Sequence, residues 1–305
     1  MLYLFLFIFL ITIFIIGMTI LRTGLFNVSG DSLKGWILKL TDTPWKGLLV
    51  GTIVTGILQS SSAVMVMTIG LISARMLTFR RSIGIILGTN IGTTFTTEFI
   101  TFNIDSLLIP MAIIGTLLIF WNNQKVKSVG FIFLGISFVF SAMTGFEYLA
   151  NPIASLPYIE ESIYKLNDSY IYSVLVGIVI TSIIQSSTAT TGIIMGFLSS
   201  DILTIGSGIA IMLGSNVGTC VTAFIASIGG GKESKLCAYA HIWLNVIGVL
   251  SFYPLINYLA ELAPLLASEP DVQLAHISVV FNVISSLLVV PFANLFARFI
   301  TKIHG

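Results

Sequence analysis

Residues 50–97 align with residues 176–223 at a constant offset of 126, without a gap, and twenty of the 48 pairs are identical. The identities concentrate in two polar islands. Gln59-Ser60-Ser61-Ser62-Ala63 recurs as Gln185-Ser186-Ser187-Thr188-Ala189. Gly88-Thr89-Asn90-Ile91-Gly92-Thr93 recurs as Gly214-Ser215-Asn216-Val217-Gly218-Thr219. A chain that carries one unit twice folds as two related units. Uncharged, hydroxyl-rich islands inside apolar segments, present in duplicate, are what a membrane transporter uses to hold a substrate near the bilayer midplane.

Composition agrees with a membrane setting. Hydrophobic residues make up 56% of the chain and charged residues 9%, against about a quarter charged in a soluble domain. Apolar segments lie at about 2–21, 46–73, 79–101, 105–121, 128–148, 172–199, 204–227, 236–259 and 272–300, several of them reaching the roughly 20 residues that cross a bilayer. No soluble domain fits in the loops between them. The first segment has no basic residue before it and no small-residue cleavage pattern after it, so it reads as a retained helix rather than a signal peptide. Cys220 and Cys237 lack metal-ligand spacing and read as small buried residues.

Charge orients the segments. Arg22, Lys34, Lys39 and Lys46 are read as a first loop, followed by basic loops at Arg75/Arg80/Arg81, Lys125/Lys127 and Lys232/Lys235, with Arg298 and Lys302 at the C-terminal end. Basic loops stay cytoplasmic. Segment 46–73 has basic flanks at both ends, whereas 172–199 has Glu160, Glu161, Lys165 and Asp168 before it and Asp201 after it. Both are therefore expected to be re-entrant hairpins, inserted from opposite faces. With seven spans and two hairpins, 13 of the 14 basic residues become cytoplasmic and only Lys165 stays outside. The expected fold is all-α and polytopic, with two inverted-topology repeats, each carrying a re-entrant hairpin and a glycine-broken helix. Residues 1–45 form an N-terminal helix and cytoplasmic linker, 46–150 repeat 1, 151–171 an extracellular linker and 172–305 repeat 2. The N-terminus lies outside and the C-terminus in the cytoplasm.

Each island has a chemistry. Serines are good N-caps, so the return limb of a hairpin starts at Ser60 or Ser186 with free backbone N–H groups. Such a helix start carries partial positive charge and binds anions. Gly88 and Gly92 bracket a stretch where the helix is expected to unwind, a disposition tolerated at membrane depth only beside a cavity or inside protein. Candidate substrate ligands are Gln59, Ser60, Ser61, Ser62, Asn90, Thr93, Gln185, Ser186, Ser187, Thr188, Asn216 and Thr219. Freed carbonyls and side-chain oxygens suit Na+ near Gln59, Ser61, Thr89, Asn90, Gln185, Ser187, Ser215 and Asn216. Small polar residues also serve plain helix packing in membranes; two tips duplicated at one offset favour function. Glu98 has Phe224 at its repeat position and reads as a coupling-ion ligand or an interfacial carboxylate. His241 with Asn245, and His276 with Asn282, read as hydrogen-bonding residues rather than a proton relay. Trp36, Trp45, Trp121 and Tyr158 read as interfacial aromatics.

The paired Gln-Ser-Ser-Ser/Thr-Ala motifs, each followed by Gly-Thr/Ser-Asn-Ile/Val-Gly-Thr, resemble the type II sodium/phosphate cotransporters of bacteria and animals, over roughly residues 46–305. Thr188 departs from the family's serine but keeps a hydroxyl. The resemblance implies Na+-driven uptake of inorganic phosphate, with the doubled motif in the substrate and cation pathway. It covers the transport core and not the C-terminal regulatory domain of many bacterial relatives. The expectation is a Na+/phosphate symporter of the cytoplasmic membrane working by alternating access, not an enzyme. It needs no cofactor beyond Na+ as coupling ion, and its partners are phosphate, Na+ and the lipid bilayer, with no nucleic acid. Another oxyanion (sulfate, a dicarboxylate), H+ coupling, or a non-transporting sensor of the same fold remain alternatives. An intramembrane hydrolase lacks a base in either island.

Overall fold

The apolar runs of the sequence are helical in the computed structural model, which describes residues 2–305. In chain order the helices are α1 (Leu2–Lys39), α2 (Pro44–Leu58), α3 (Ser61–Ser73), α4 (Phe79–Phe99), α5 (Asp105–Ile119), α6 (Gln124–Ala154), α7 (Pro157–Asp168) and α8 (Tyr170–Ile184). They continue with α9 (Ser187–Ser199), α10 (Ile205–Gly218), α11 (Cys220–Ser227), α12 (Lys232–Phe252), α13 (Ile256–Leu266), α14 (Pro270–Val289) and α15 (Ala293–His304). No strand occurs among the described residues. Five stretches are long and apolar enough to cross a membrane: Leu2–Gly30, Gln124–Ala154, Ile205–Ser227, Lys232–Leu266 and Pro270–His304. The protein is an all-helical membrane protein.

Two of these stretches join pairs of helices through a proline-containing turn. Pro254 and Pro291 cannot donate the backbone N–H that the helix needs, and three-residue 3₁₀ segments, Tyr253–Leu255 and Val290–Phe292, absorb the defect. By contrast α2, α3, α8 and α9 have 15, 13, 15 and 13 residues. At 1.5 Å per residue each is about 20–23 Å long, short of the roughly 30 Å hydrocarbon layer.

The duplication extends to the backbone. Four non-glycine residues have positive φ: Gln59 (52°), Arg75 (57°), Gln185 (56°) and Asp201 (56°). They are two pairs at the 126-residue offset, one closing α2 and α8, the other following α3 and α9. Helix α2 packs along α4 and α8 along α10. A Cβ at Gly88 would collide with the carbonyl oxygen of Leu48, and one at Gly214 with that of Val174, again residues 126 apart. Gly92 meets Thr55 and Gly218 meets Thr181 in the same way.

That packing corrects the expected glycine-broken helix of the first repeat. Helix α4 runs unbroken from Phe79 to Phe99 through both glycines. Between α10 and α11, Thr219 keeps helical angles (φ −61°, ψ −24°), so the chain tightens there without unwinding. The glycines are present because two backbones approach too closely for any side chain; the hydrogen-bond ladder of α4 survives, while in the second repeat the helix is divided at Thr219, just after Gly218. A second correction concerns residues 22–39, read from sequence as loop. They continue α1, and Arg22 sits within a membrane-spanning stretch rather than on a cytoplasmic surface.

The buried side chains form two cores. One joins the middle of α1 with α6, α8–α10, α13 and α14, through Phe14, Phe146, Ile211 and Phe281. The other joins α2–α4 with α12, α15 and the far end of α1, through Val54, Met65, Ile86 and Ile300. The polar tips lie between them.

Candidate functional site

Each tip is a two-residue interruption made by a glutamine and a serine. Gln59 closes α2 in the left-handed conformation (φ 52°, ψ 34°), and Gln185 closes α8 likewise (φ 56°, ψ 29°). A side chain in that region costs about 1–2 kcal/mol, so both tips hold a conformation that surrounding structure must enforce. The next residue then starts a helix. Ser60 caps α3, its hydroxyl oxygen accepting from the Ala63 N–H at 3.1 Å, and Ser186 caps α9 through the Ala189 N–H at 3.3 Å. The remaining first-turn N–H groups have no partner inside their own helices.

The two tips meet at one small cavity. Gln59, Ser60, Ser61 and Ser62 line it from the first repeat, and Gln185, Ser186, Ser187 and Thr188 from the second. Thr93 and Thr96 of α4 add hydroxyl-bearing walls, and Arg22 of α1 completes the lining. Its volume of about 10 Å³, about one water-sized sphere, is far below the range of sites for organic ligands. No aspartate or glutamate lines it. Two helix N-termini and one guanidinium therefore converge on a pocket with no compensating carboxylate, which is the electrostatics of an anion site.

Arg22 and Thr96 are the residues that sequence reasoning missed. The Arg22 Nε–H donates to the backbone oxygen of Gln59 at 2.9 Å, which ties α1 to the first tip. A guanidinium has five N–H donors, and this bond uses one; no other protein acceptor for Arg22 occurs among the described residues. The absence of arginine or lysine from both motifs is made good by a residue 37 positions upstream. The signal that could have found it was present: a single basic residue inside a long hydrophobic helix, where charge is costly and functional by default.

Other expected ligands fall elsewhere. Asn90, Asn216 and Thr219 do not line the cavity. The Asn90 amide donates to Asn245 Oδ1 at 3.3 Å, and the Asn216 amide to the Met212 carbonyl at 2.9 Å. Thr89 and Ser215 are fully buried and donate to carbonyls of their own helices, Ile86 and Met212. Asn245 in turn donates to the His241 carbonyl at 2.9 Å and to the Cys220 sulfur at 3.4 Å. His276 Nδ1 and Glu98 Oε1 lie 2.8 Å apart, half-exposed, joining α14 to α4. Neither pair touches the cavity.

Three oxygens near the first tip have no partner. Thr52 Oγ1, Thr55 Oγ1 and Gln59 Oε1 are buried and unbonded, while Gln59 Nε2 donates to the Gly56 carbonyl at 2.6 Å. Thr52 and Thr55 lie at i and i+3 on α2, and Gln59 follows as its left-handed cap. Uncharged oxygen acceptors of this kind are what a hard alkali cation binds.

Against known proteins, the profile of the Na+/Pi-cotransporter family matches residues 13–148 and 154–266. This chain is a member of the Na+/Pi-cotransporter family. It is 41% identical over 291 residues to the uncharacterized protein YqeW of Bacillus subtilis, covering 95% of each chain. It is 22% identical over 288 residues to the putative inorganic phosphate export protein YjbB of Salmonella typhimurium, covering 94% of this chain and 53% of that one. With rat sodium-dependent phosphate transport protein 2A it shares 27% identity over 176 residues, 55% of this chain and 25% of the rat protein. The chain thus spans about half of the phosphate-export relative and a quarter of the rat one. No solved structure matches it. Membership in the Na+/Pi-cotransporter family makes this a transporter rather than an enzyme.

Proposed function

We propose that the protein couples Na+ movement to transport of inorganic phosphate across the cytoplasmic membrane, with the phosphate held between the two serine tips. The carrying observation is the convergence of Arg22 and the starts of α3 and α9 on one carboxylate-free cavity. A phosphate there accepts hydrogen bonds from first-turn N–H groups and serine hydroxyls, and the guanidinium balances part of its charge. Na+ binds beside it, at the unbonded oxygens of Thr52, Thr55 and Gln59, so each ion improves the site for the other. The rat relative's name, sodium-dependent phosphate transport, supports this pairing.

The repeats, 46–150 and 172–305, are inverted in this reading. Helices α2–α3 and α8–α9 are re-entrant hairpins from opposite faces, with the N-terminus outside and the C-terminus in the cytoplasm. Their lengths, too short to span singly, and their opposite flanking charges support it. Rocking of one repeat against the other exposes the cavity alternately to each side. The name of the Salmonella relative, a putative inorganic phosphate export protein, favours a second reading in which the net flux is outward; the same cycle serves both, and the ion gradients set its direction.

Purified protein in proteoliposomes, given radiolabelled phosphate and an inward Na+ gradient against a K+ control, tests this. Na+-dependent accumulation competed by arsenate but not by sulfate is expected. Equal flux with K+ would overturn the coupling, and competition by sulfate the substrate.

A further inference from the structure

A second, larger cavity shares no residue with the pocket of the serine tips. It is a groove of about 350 Å³ between α1, α7, α8 and α9. Tyr172, Val176 and Ile180 line it at i, i+4 and i+8 along α8, with Ile193 and Phe197 opposite on α9. Eight residues of helix are about 12 Å long, so the groove follows much of one leaflet's hydrocarbon depth. Its lining is apolar apart from Ser162, Tyr172 and Thr190. Water gains nothing there, since it needs polar partners.

Helix α7 supplies the upper wall. It is amphipathic, with Ile159, Ile163 and Leu166 packed inward and Tyr158 and Tyr164 87% and 74% exposed. Exposed tyrosines beside an apolar helix face mark headgroup depth. The charges of α7 are unequal: Glu160, Glu161 and Asp168 against Lys165, three carboxylates to one ammonium, a balance of −2. Glu161 takes Lys165 in an ion pair at 2.7 Å, which leaves Glu160 and Asp168 exposed and outside that pair. That face repels an anionic headgroup and attracts an ammonium.

We propose that the groove is a lipid site. One acyl chain of a zwitterionic, amine-headed phospholipid lies between α8 and α9, and its ammonium is drawn to the acidic face of α7. The occupant is a lipid because the walls belong to membrane-spanning and tip helices, and because a single chain fits a slot between two helices.

The test is native mass spectrometry of the detergent-solubilised protein after equilibration with vesicles of equal phosphatidylethanolamine and phosphatidylglycerol. About one phosphatidylethanolamine per chain is expected to persist, at least tenfold over phosphatidylglycerol. The double variant Val176→Phe/Ile193→Phe fills the slot and lowers retention at least fivefold, whereas Leu175→Phe, on the exposed face of α8, leaves it unchanged. In Glu160→Gln/Asp168→Asn a lipid persists but the headgroup preference disappears. Absence of persistent lipid in the wild-type protein overturns the site, as does retention unaffected by filling the slot. Equal retention of both lipids by the wild type overturns the role of α7. The wild-type comparison and the α7 variant decide the matter even if the filled variant does not fold.

Discussion

In the first repeat the carbonyl of Gln59 is capped by Arg22, and the hydroxyl of Thr55, one turn back, has no partner. In the second, the carbonyl of Gln185 has no such donor among the described residues, and Thr181, the counterpart of Thr55, donates to Thr190 at 2.8 Å. The residue of the first repeat at the position of Thr190 is Val64, which has no hydroxyl. So the duplicated backbone is nearly symmetric while its polar bonding is not. In the second tip that threonine hydroxyl is satisfied within the repeat. The first is left with bare oxygens and is held by a charge from outside the repeat. One anion and its cation do not need two equal half-sites, and the symmetric scaffold carries an asymmetric load.

The largest effect should come from the glutamines that close both tips. Gln59→Ala and Gln185→Ala should each abolish coupled phosphate uptake in proteoliposomes while the protein still elutes as a folded species. Uptake kinetics unchanged in either variant would sink the shared-site reading. Next is the charge that only the first tip receives. Hydrogen bonds to a charged group are worth about 1.5–3 kcal/mol, so Arg22→Gln should lower the efficiency of uptake at least tenfold. Arg22→Lys should lie between, because it keeps the charge and loses the planar fork. A wild-type phosphate dependence in Arg22→Gln would remove Arg22 from the site.

The scaffold itself should respond equally in both halves. A Cβ at Gly88 or Gly214 meets a backbone oxygen that cannot yield, so either change to alanine should destabilise by about 1–3 kcal/mol, read as a lower melting temperature in detergent. Gly35→Ala, which meets open space, should be neutral or stabilising, since alanine is the better helix former. If only one of the two tight glycines responds, the halves do not pack alike.

A subtler change makes the first repeat resemble the second. Val64→Thr gives Thr55 the partner that Thr181 already has. If Thr55 serves Na+, its apparent affinity should fall several-fold, with the phosphate dependence at saturating Na+ kept within twofold. Unaltered Na+ dependence would place the cation elsewhere. The smallest effect belongs to the surface. Lys165, hydrogen-bonded to Glu161, holds that carboxyl below its usual range, and the same bond raises Lys165. The Glu161 contribution is present above the ordinary carboxylate range and is lost as pH falls through the depressed value. Both groups are exposed, so neither Lys165→Ala nor acidification through that window should move the melting temperature measurably.

Much of this was legible in the residues. A near-exact offset of 126 announces two like units, and serines after an apolar run announce helix starts, because capping and hydrophobic length are local properties of the chain. Trp36, Trp45, Trp121 and Tyr158, read as interfacial, are all exposed on the fold. The misreadings were of another kind. Gly88 and Gly92 looked like points of unwinding because glycine permits both a break and a close approach, and only the neighbouring helix decides which. Residues 22–39 looked like a loop because charge and helix are independent in sequence.

By itself, then, the sequence determined the environment, the duplication, the helix starts at Ser60 and Ser186 and the family. These rest on composition, periodicity and bonds within a few residues. Only the tertiary structure decided that the two tips line one cavity, that Arg22 joins them across 37 residues, and that Asn90 and Asn216 turn away. Those outcomes depend on how helices far apart in the chain cross, and no local pattern of residues carries that distance.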